Sequence, residues 1–200
     1  MNFLSGSRRL VSRCLQPLAA RASRAYVAGD TLADALVVSD ALFDRGLGST
    51  LGYWDSPGES PRHVANVYLA ALKALACREH AYLSVKLPAI DCRSALMEEL
   101  VEQAICHRVR LHVDAQEPER ADESRALVDG FLESGAEISV TLPGRWSRSL
   151  ADAQWAIENS LTVRVVKGQW ADPTDPHGER ILDRPLRVRQ AARPSTRKRD

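Results

Sequence analysis

The chain lacks the features that would make its function obvious. No run of eighteen apolar residues exists in its 200, so nothing reads as a membrane-spanning helix. No pair of the four cysteines, Cys14, Cys77, Cys92 and Cys106, has C-x-x-C spacing, and their wide separation reads as buried or reduced thiols rather than a disulfide framework. The five histidines lack ligand spacing, so no metal site is expected. A net charge of +1 gives the whole molecule no electrostatic bias toward nucleic acid or lipid.

The charge is unevenly placed. Residues 1–29 hold five arginines and no acid. That composition fits a mitochondrial transit peptide. It equally fits a basic leading helix or arm of a bacterial cytoplasmic protein, which is the preferred reading, with peripheral membrane contact at most. Residues 172–200 are rich in Pro and Arg and poor in large apolar side chains, which predicts a disordered or irregular tail. A nucleic-acid grip by the basic ends is the weaker reading, because Asp172, Asp175, Glu179 and Asp183 break up the tail's positive charge.

Between the ends, residues 30–171 have a regular beat. Strand-like runs at 49–53, 82–87, 110–114, 137–141 and 162–167 alternate with segments of helical periodicity. A helix over about 31–44 is capped by Asp30 or Thr31, and Pro61 opens the next, whose apolar face is Val64, Val67, Tyr68, Ala71, Leu72 and Leu75. Later helices are marked by Leu96, Leu100, Val101 and Ala104, by Leu127 and Phe131, and by Leu150, Ala153 and Ile157. Repeated strand–helix units imply a parallel sheet with right-handed crossovers.

The strands choose between a doubly wound sheet and a barrel. Leu83 and Val85 alternate with Ser84 and Lys86; Leu111 and Val113 with Arg110, His112 and Asp114; Ile138 and Val140 with Ser139 and Thr141; Val163 and Val165 with Arg164. A strand buried on both faces should read as nearly continuous apolar sequence. One apolar and one polar face fit a TIM-type parallel (β/α) barrel, with polar side chains inward near the carboxyl ends of its strands. Five units are found where a full barrel has eight, so the expectation is an incomplete barrel, truncated on its C-terminal side or completed by another chain.

Lys86, Asp114, Thr141 and Arg164 sit at corresponding strand ends, which in a barrel surround one mouth. A Lys and an Arg flanking an Asp suit an anionic substrate or a cofactor that gains negative charge; they also suit an internal ion-pair layer. His112 shares that face and reads as a hydrogen-bonded interior filler. Gly168 after Lys167 lets backbone approach a ligand or makes a turn, and Trp170 stacks on a planar ring or caps the core.

The runs Thr50-Leu51-Gly52-Tyr53, Leu83-Ser84-Val85-Lys86, His112-Val113-Asp114-Ala115-Gln116 and Val163-Arg164-Val165-Val166-Lys167-Gly168-Gln169-Trp170 together resemble proline dehydrogenases, in order and in strand-end placement. The last is similar to that family's R-x-V-K-G-A-Y-W segment. The resemblance covers about residues 26–172. It implies an enzyme holding FAD at the barrel mouth, oxidising L-proline to 1-pyrroline-5-carboxylate on the way to glutamate, and passing electrons to a quinone. It implies Lys86 for the proline carboxylate, Asp114 as organiser of the charge network with Ala115 beside the flavin, and Arg164 near flavin N5. Lys167, Gly168, Gln169 and Trp170 would line the FAD. The sequence departs from the pattern in three places. The family's flavin-bonding Gln at the end of the fourth strand is missing, so that cofactor contact is lost or supplied by Thr141; Gln169-Trp170 replaces Ala-Tyr, and no Arg-Arg pair follows Trp170. A non-catalytic interaction module of the same fold is the alternative.

Overall fold

A computed structural model describes residues 27–174. The basic N-terminal arm up to residue 26 and the tail from residue 175 lie outside the described residues. Among them, five strands form one parallel sheet in the order of the chain: β1 (Ser49–Gly52), β2 (Ala81–Val85), β3 (Leu111–Val113), β4 (Ile138–Pro143) and β5 (Thr162–Val166). Five α-helices accompany them: α1 (Leu32–Phe43), α2 (Pro61–Leu75), α3 (Ser94–His107), α4 (Ala121–Asp129) and α5 (Ser149–Glu158). The sheet curls into a half-barrel with helices between its strands, an incomplete α/β barrel.

Local chemistry explains the elements. Thr31 caps α1 with a capping box, its hydroxyl accepting from Asp34 N–H while Asp34 takes the Thr31 N–H at 3.0 Å. Ser60 caps α2 through His63 N–H at 3.2 Å, and Pro61 follows where its missing N–H costs nothing. Helix α3 stops on Arg108 with φ 56°, a left-handed cap made without glycine.

The apolar strand faces build the core. Leu83, Val85, Leu111, Val113, Ile138 and Val140 are all buried, against Tyr68, Leu72, Leu75, Met97 and Leu100 from α2 and α3. Each such large side chain withdrawn from water contributes roughly 1.5–3 kcal/mol. Alternation then leaves the polar side chains on the concave face. Register aligns Ser84 with His112, His112 with Ser139 and Ser139 with Thr162, and one step on, Thr141 with Arg164.

Some expectations need correcting. Helix α5 buries Asp152, Trp155 and Ala156, whereas Leu150 and Ile157 are 58% and 71% exposed. Its partners turned it: Trp155 Nε1 donates to the distant Asp129 Oδ1 at 2.7 Å, and Arg148 Nε, one turn earlier, donates to Asp152 at 2.8 Å. Helix α4 ends at Asp129, so Phe131 lies beyond it. Among the described residues Cys77, Cys92 and Cys106 are free thiols, as expected, with Cys77 and Cys106 exposed.

Candidate active site at the strand ends

Strand β3 stops at Val113 and β2 at Val85, so Asp114 and Lys86 each stand one residue past a strand end. Thr141 and Arg164 are still inside β4 and β5 and face each other in register. The described part of the mouth encloses a cavity of about 310 Å³. Lys86, Asp114, Ala115, Gln116, Thr141, Gly168, Gln169 and Trp170 line it, together with Trp54 from the β1–α2 loop. Arg164 joins this rim by donating from Nη2 to Asp114 Oδ1 at 2.8 Å. Lys86 and Asp114 therefore line one cavity, and Arg164, outside that lining, is joined to it through Asp114.

Two kinds of environment hold them. Asp114 Oδ1 also accepts from Thr141 Oγ1 at 3.0 Å, and Thr141 Oγ1 accepts from Arg164 Nε and Nη2 at 3.2 and 3.1 Å. Behind Thr141 lies His112, 2% exposed, with Nε2 2.7 Å from Thr141 Oγ1 and Nδ1 2.8 Å from Ser139 Oγ. Burial, followed by the positive charge of Arg164, pushes the His112 imidazole down to about 4, so it is neutral at pH 7. The filler reading of His112 is thus the observed one, with both ring nitrogens partnered.

Lys86 is held differently. Its N–H donates to the Tyr68 hydroxyl at 3.1 Å, and burial holds that phenol well above its ordinary range. Its Nζ donates to Asp55 Oδ1 at 2.9 Å and lies 4.8 Å from the centre of the Trp54 ring, an indole that is 84% exposed. Asp55 and Trp54 were invisible to strand alternation. A Trp-Asp pair two and three residues past the end of β1 was the available signal.

The segment after β5 is tied to the β4–α5 loop. Gly144 N–H donates to the Val166 carbonyl at 2.7 Å, and Trp146 Nε1 to the Trp170 carbonyl at 3.0 Å. Gly168 has φ +91°, and a Cβ there would stand 2.8 Å from Pro143 Cβ. Close packing and backbone hand demand this glycine before any ligand does. Lys167 is absent from the residues lining the cavity. Asp172, assigned to the irregular tail by composition, is 5% exposed. It accepts from Ser147 N–H and Oγ at 2.6 and 2.7 Å, which keeps its carboxyl far below the usual range. Among the described residues no group of three or more His, Cys, Asp or Glu is placed to hold a metal.

No family model matches the chain, and no curated protein matches it. Solved structures do. Proline utilization A from Bdellovibrio bacteriovorus, inactivated by N-propargylglycine, superposes with a TM-score of 0.65 at 13% identity over 80% of this chain and 21% of that one. The chain shares its fold with proline utilization A. A mutant of that protein from Bradyrhizobium japonicum gives a TM-score of 0.53 at 21% identity, over 80% of this chain and 20% of the other. The chain therefore spans about a fifth of the length of the proline utilization A structures it matches, and the likeness is one of fold.

Proposed function

We propose that the half-barrel carries the strand-end part of a flavin-dependent proline dehydrogenase site, one that oxidises L-proline to 1-pyrroline-5-carboxylate. The observation that carries this reading is that Lys86 and Asp114 line one cavity and Arg164 is bonded to that Asp114. Four ordered sequence motifs and a fold shared with proline utilization A agree with it. The inactivator named for the Bdellovibrio protein is a carboxylate with a substituted amino nitrogen, and proline offers the same two handles.

The residues suit the ring system of FAD. A cavity of about 310 Å³ bounded by Trp170, Gln169, Gln116 and Ala115 has room and flat surface for a fused ring, though not for a whole dinucleotide. FAD, when bound, supplies the acceptor for the hydride leaving the ring carbon beside the proline nitrogen. Arg164 offsets negative charge gained at that ring, and Asp114 fixes the guanidinium in place. Lys86 takes the proline carboxylate, as a compact cation in the lining of the cavity. Of the flavin-lining set, Ala115, Gln169, Trp170 and the Gly168 backbone face the cavity. Thr141 serves Arg164 and Asp114, its hydroxyl being fully engaged, and Lys167 stands outside the lining. A quinone-type acceptor follows from the resemblance, and a bacterial cytoplasmic setting suits the reading.

Purified protein with bound FAD is expected to lose its visible flavin absorbance on addition of L-proline. Protein that stays colourless after incubation with FAD contradicts the proposal. One observation favours a second reading, a non-catalytic module of the same fold. Asp55 already occupies Lys86 where a substrate carboxylate would bind. Under that reading FAD and proline both leave the protein unchanged.

A further inference from the structure

Four side chains of the concave face share one hydroxyl. Thr141 Oγ1 lies 2.7 Å from His112 Nε2, 3.0 Å from Asp114 Oδ1, and 3.2 and 3.1 Å from Nε and Nη2 of Arg164. A hydroxyl has one proton and two lone pairs, and a guanidinium can only donate. Arg164 therefore uses one lone pair, and the proton goes either to Asp114 or to His112. If it goes to Asp114, His112 donates from Nε2 into the second lone pair, and Nδ1 accepts from Ser139 Oγ at 2.8 Å. Every group is then satisfied. If Thr141 donates to His112 instead, Asp114 Oδ1 loses that donor and keeps only Arg164 Nη2, and Ser139 must turn to the Leu111 carbonyl at 3.4 Å. Both arrangements keep the 2.7 and 2.8 Å contacts of His112, and the first adds the 3.0 Å Thr141–Asp114 bond where the second has only the longer 3.4 Å bond from Ser139 to the Leu111 carbonyl.

We propose that His112 is a positioning residue: held as the neutral Nε2–H tautomer, it commits the Thr141 hydroxyl to Asp114 and so fixes the carboxylate that carries Arg164. The imidazole is suited to this. It is 2% exposed, its neutral form is favoured by burial and by Arg164, and the Tyr82 ring meets it edge-on at 5.8 Å. A charged imidazole would have no acceptor left for its second proton except Ser139. The benefit to catalysis rests on the proposed oxidation, whereas the tautomer and the immobilisation of Arg164 do not.

The two ring nitrogens can be mimicked separately. His112→Gln keeps an N–H where Nε2–H stood, and His112→Asn reaches only the place of Nδ1. In the full chain with 15N-labelled histidine, His112 is expected to show the Nε2–H pattern at pH 7. Exchange of the Arg164 Nε proton with water is expected to stay within about twofold of the unaltered protein in His112→Gln and to quicken about tenfold in His112→Asn, the loss of one charge-assisted bond. An Nδ1–H pattern overturns the proposal, as does equal exchange in the two variants. Should either variant fail to fold, the tautomer in the unaltered chain decides by itself. Flavin that proline cannot bleach would remove the proposed function and leave these spectra as they are.

Discussion

The two cations of the rim are held in opposite ways. Arg164 is fastened by Thr141 of β4 and by Asp114, one residue past β3, with His112 and Ser139 on the strands closing the chain of bonds behind them. Lys86 is held at its tip by a loop, through Asp55 and an indole that stands mostly in solvent. The first arrangement is expensive to disturb, since every member would strand another. The second rests on a single side-chain hydrogen bond, to Asp55, which a ligand carboxylate could replace. A fixed charge suits a cofactor whose ring charges during reaction, and a replaceable partner suits a substrate that must come and go.

Breaking the fixed side should have the largest effect. Arg164→Gln is expected to lower kcat/KM for proline-dependent flavin reduction about 10²–10³-fold, chiefly through kcat, measured by stopped-flow loss of flavin absorbance. Acid should reach the same side next. The His112 imidazole sits near 4 in the native protein against 6.5 when unfolded. Between those values the unfolded chain binds a proton that the native chain does not. Stability gained by burying the neutral ring is thus present above about 6.5 and is lost as pH falls toward 4, by up to about 3 kcal/mol. Urea unfolding at several pH values should show that slope, and His112→Gln should flatten it. A variant with an unchanged slope would place the acid sensitivity in the carboxylates instead.

Smaller changes are expected around Lys86. Tyr68→Phe removes the acceptor of the Lys86 N–H in a buried place, and thermal unfolding should report a loss of about 1–2 kcal/mol. Asp55→Asn should have the least effect. The pair is partly exposed, and removing its charge should lower KM for proline about threefold with kcat little changed. A rise in KM would make Asp55 a part of the binding site rather than a competitor for Lys86.

Much of this was legible in the sequence, because period-two alternation decides which side chain faces the mouth. Lys86, Asp114, Thr141 and Arg164 could be placed from that rule alone, as could the curled parallel sheet. What stayed hidden depended on loops or on partners far along the chain. Asp55 and Trp54 reach Lys86 from a loop whose path no periodicity describes. Helix α5 has an apolar stripe at Leu150 and Ile157, yet Trp155 and Asp152 turn inward because Asp129, Arg125 and Arg148 wait for them. Asp172 looks like one acid in a solvated tail until Ser147 and Thr174 are found around it. Thr141 lines the cavity as its strand position implies, while the bonds of its hydroxyl to Arg164, Asp114 and His112 depend on partners that alternation does not name.

A double-mutant cycle tests the common rim most directly. Lys86→Gln, Arg164→Gln and the pair would be compared in anaerobic reduction of bound FAD by L-proline. If both cations act on one bound amino acid and its flavin, the two losses should fail to add, with an interaction energy of at least about 0.5 kcal/mol. Strictly additive losses, or a Lys86→Gln protein reduced by proline as readily as the unaltered one, would contradict the account.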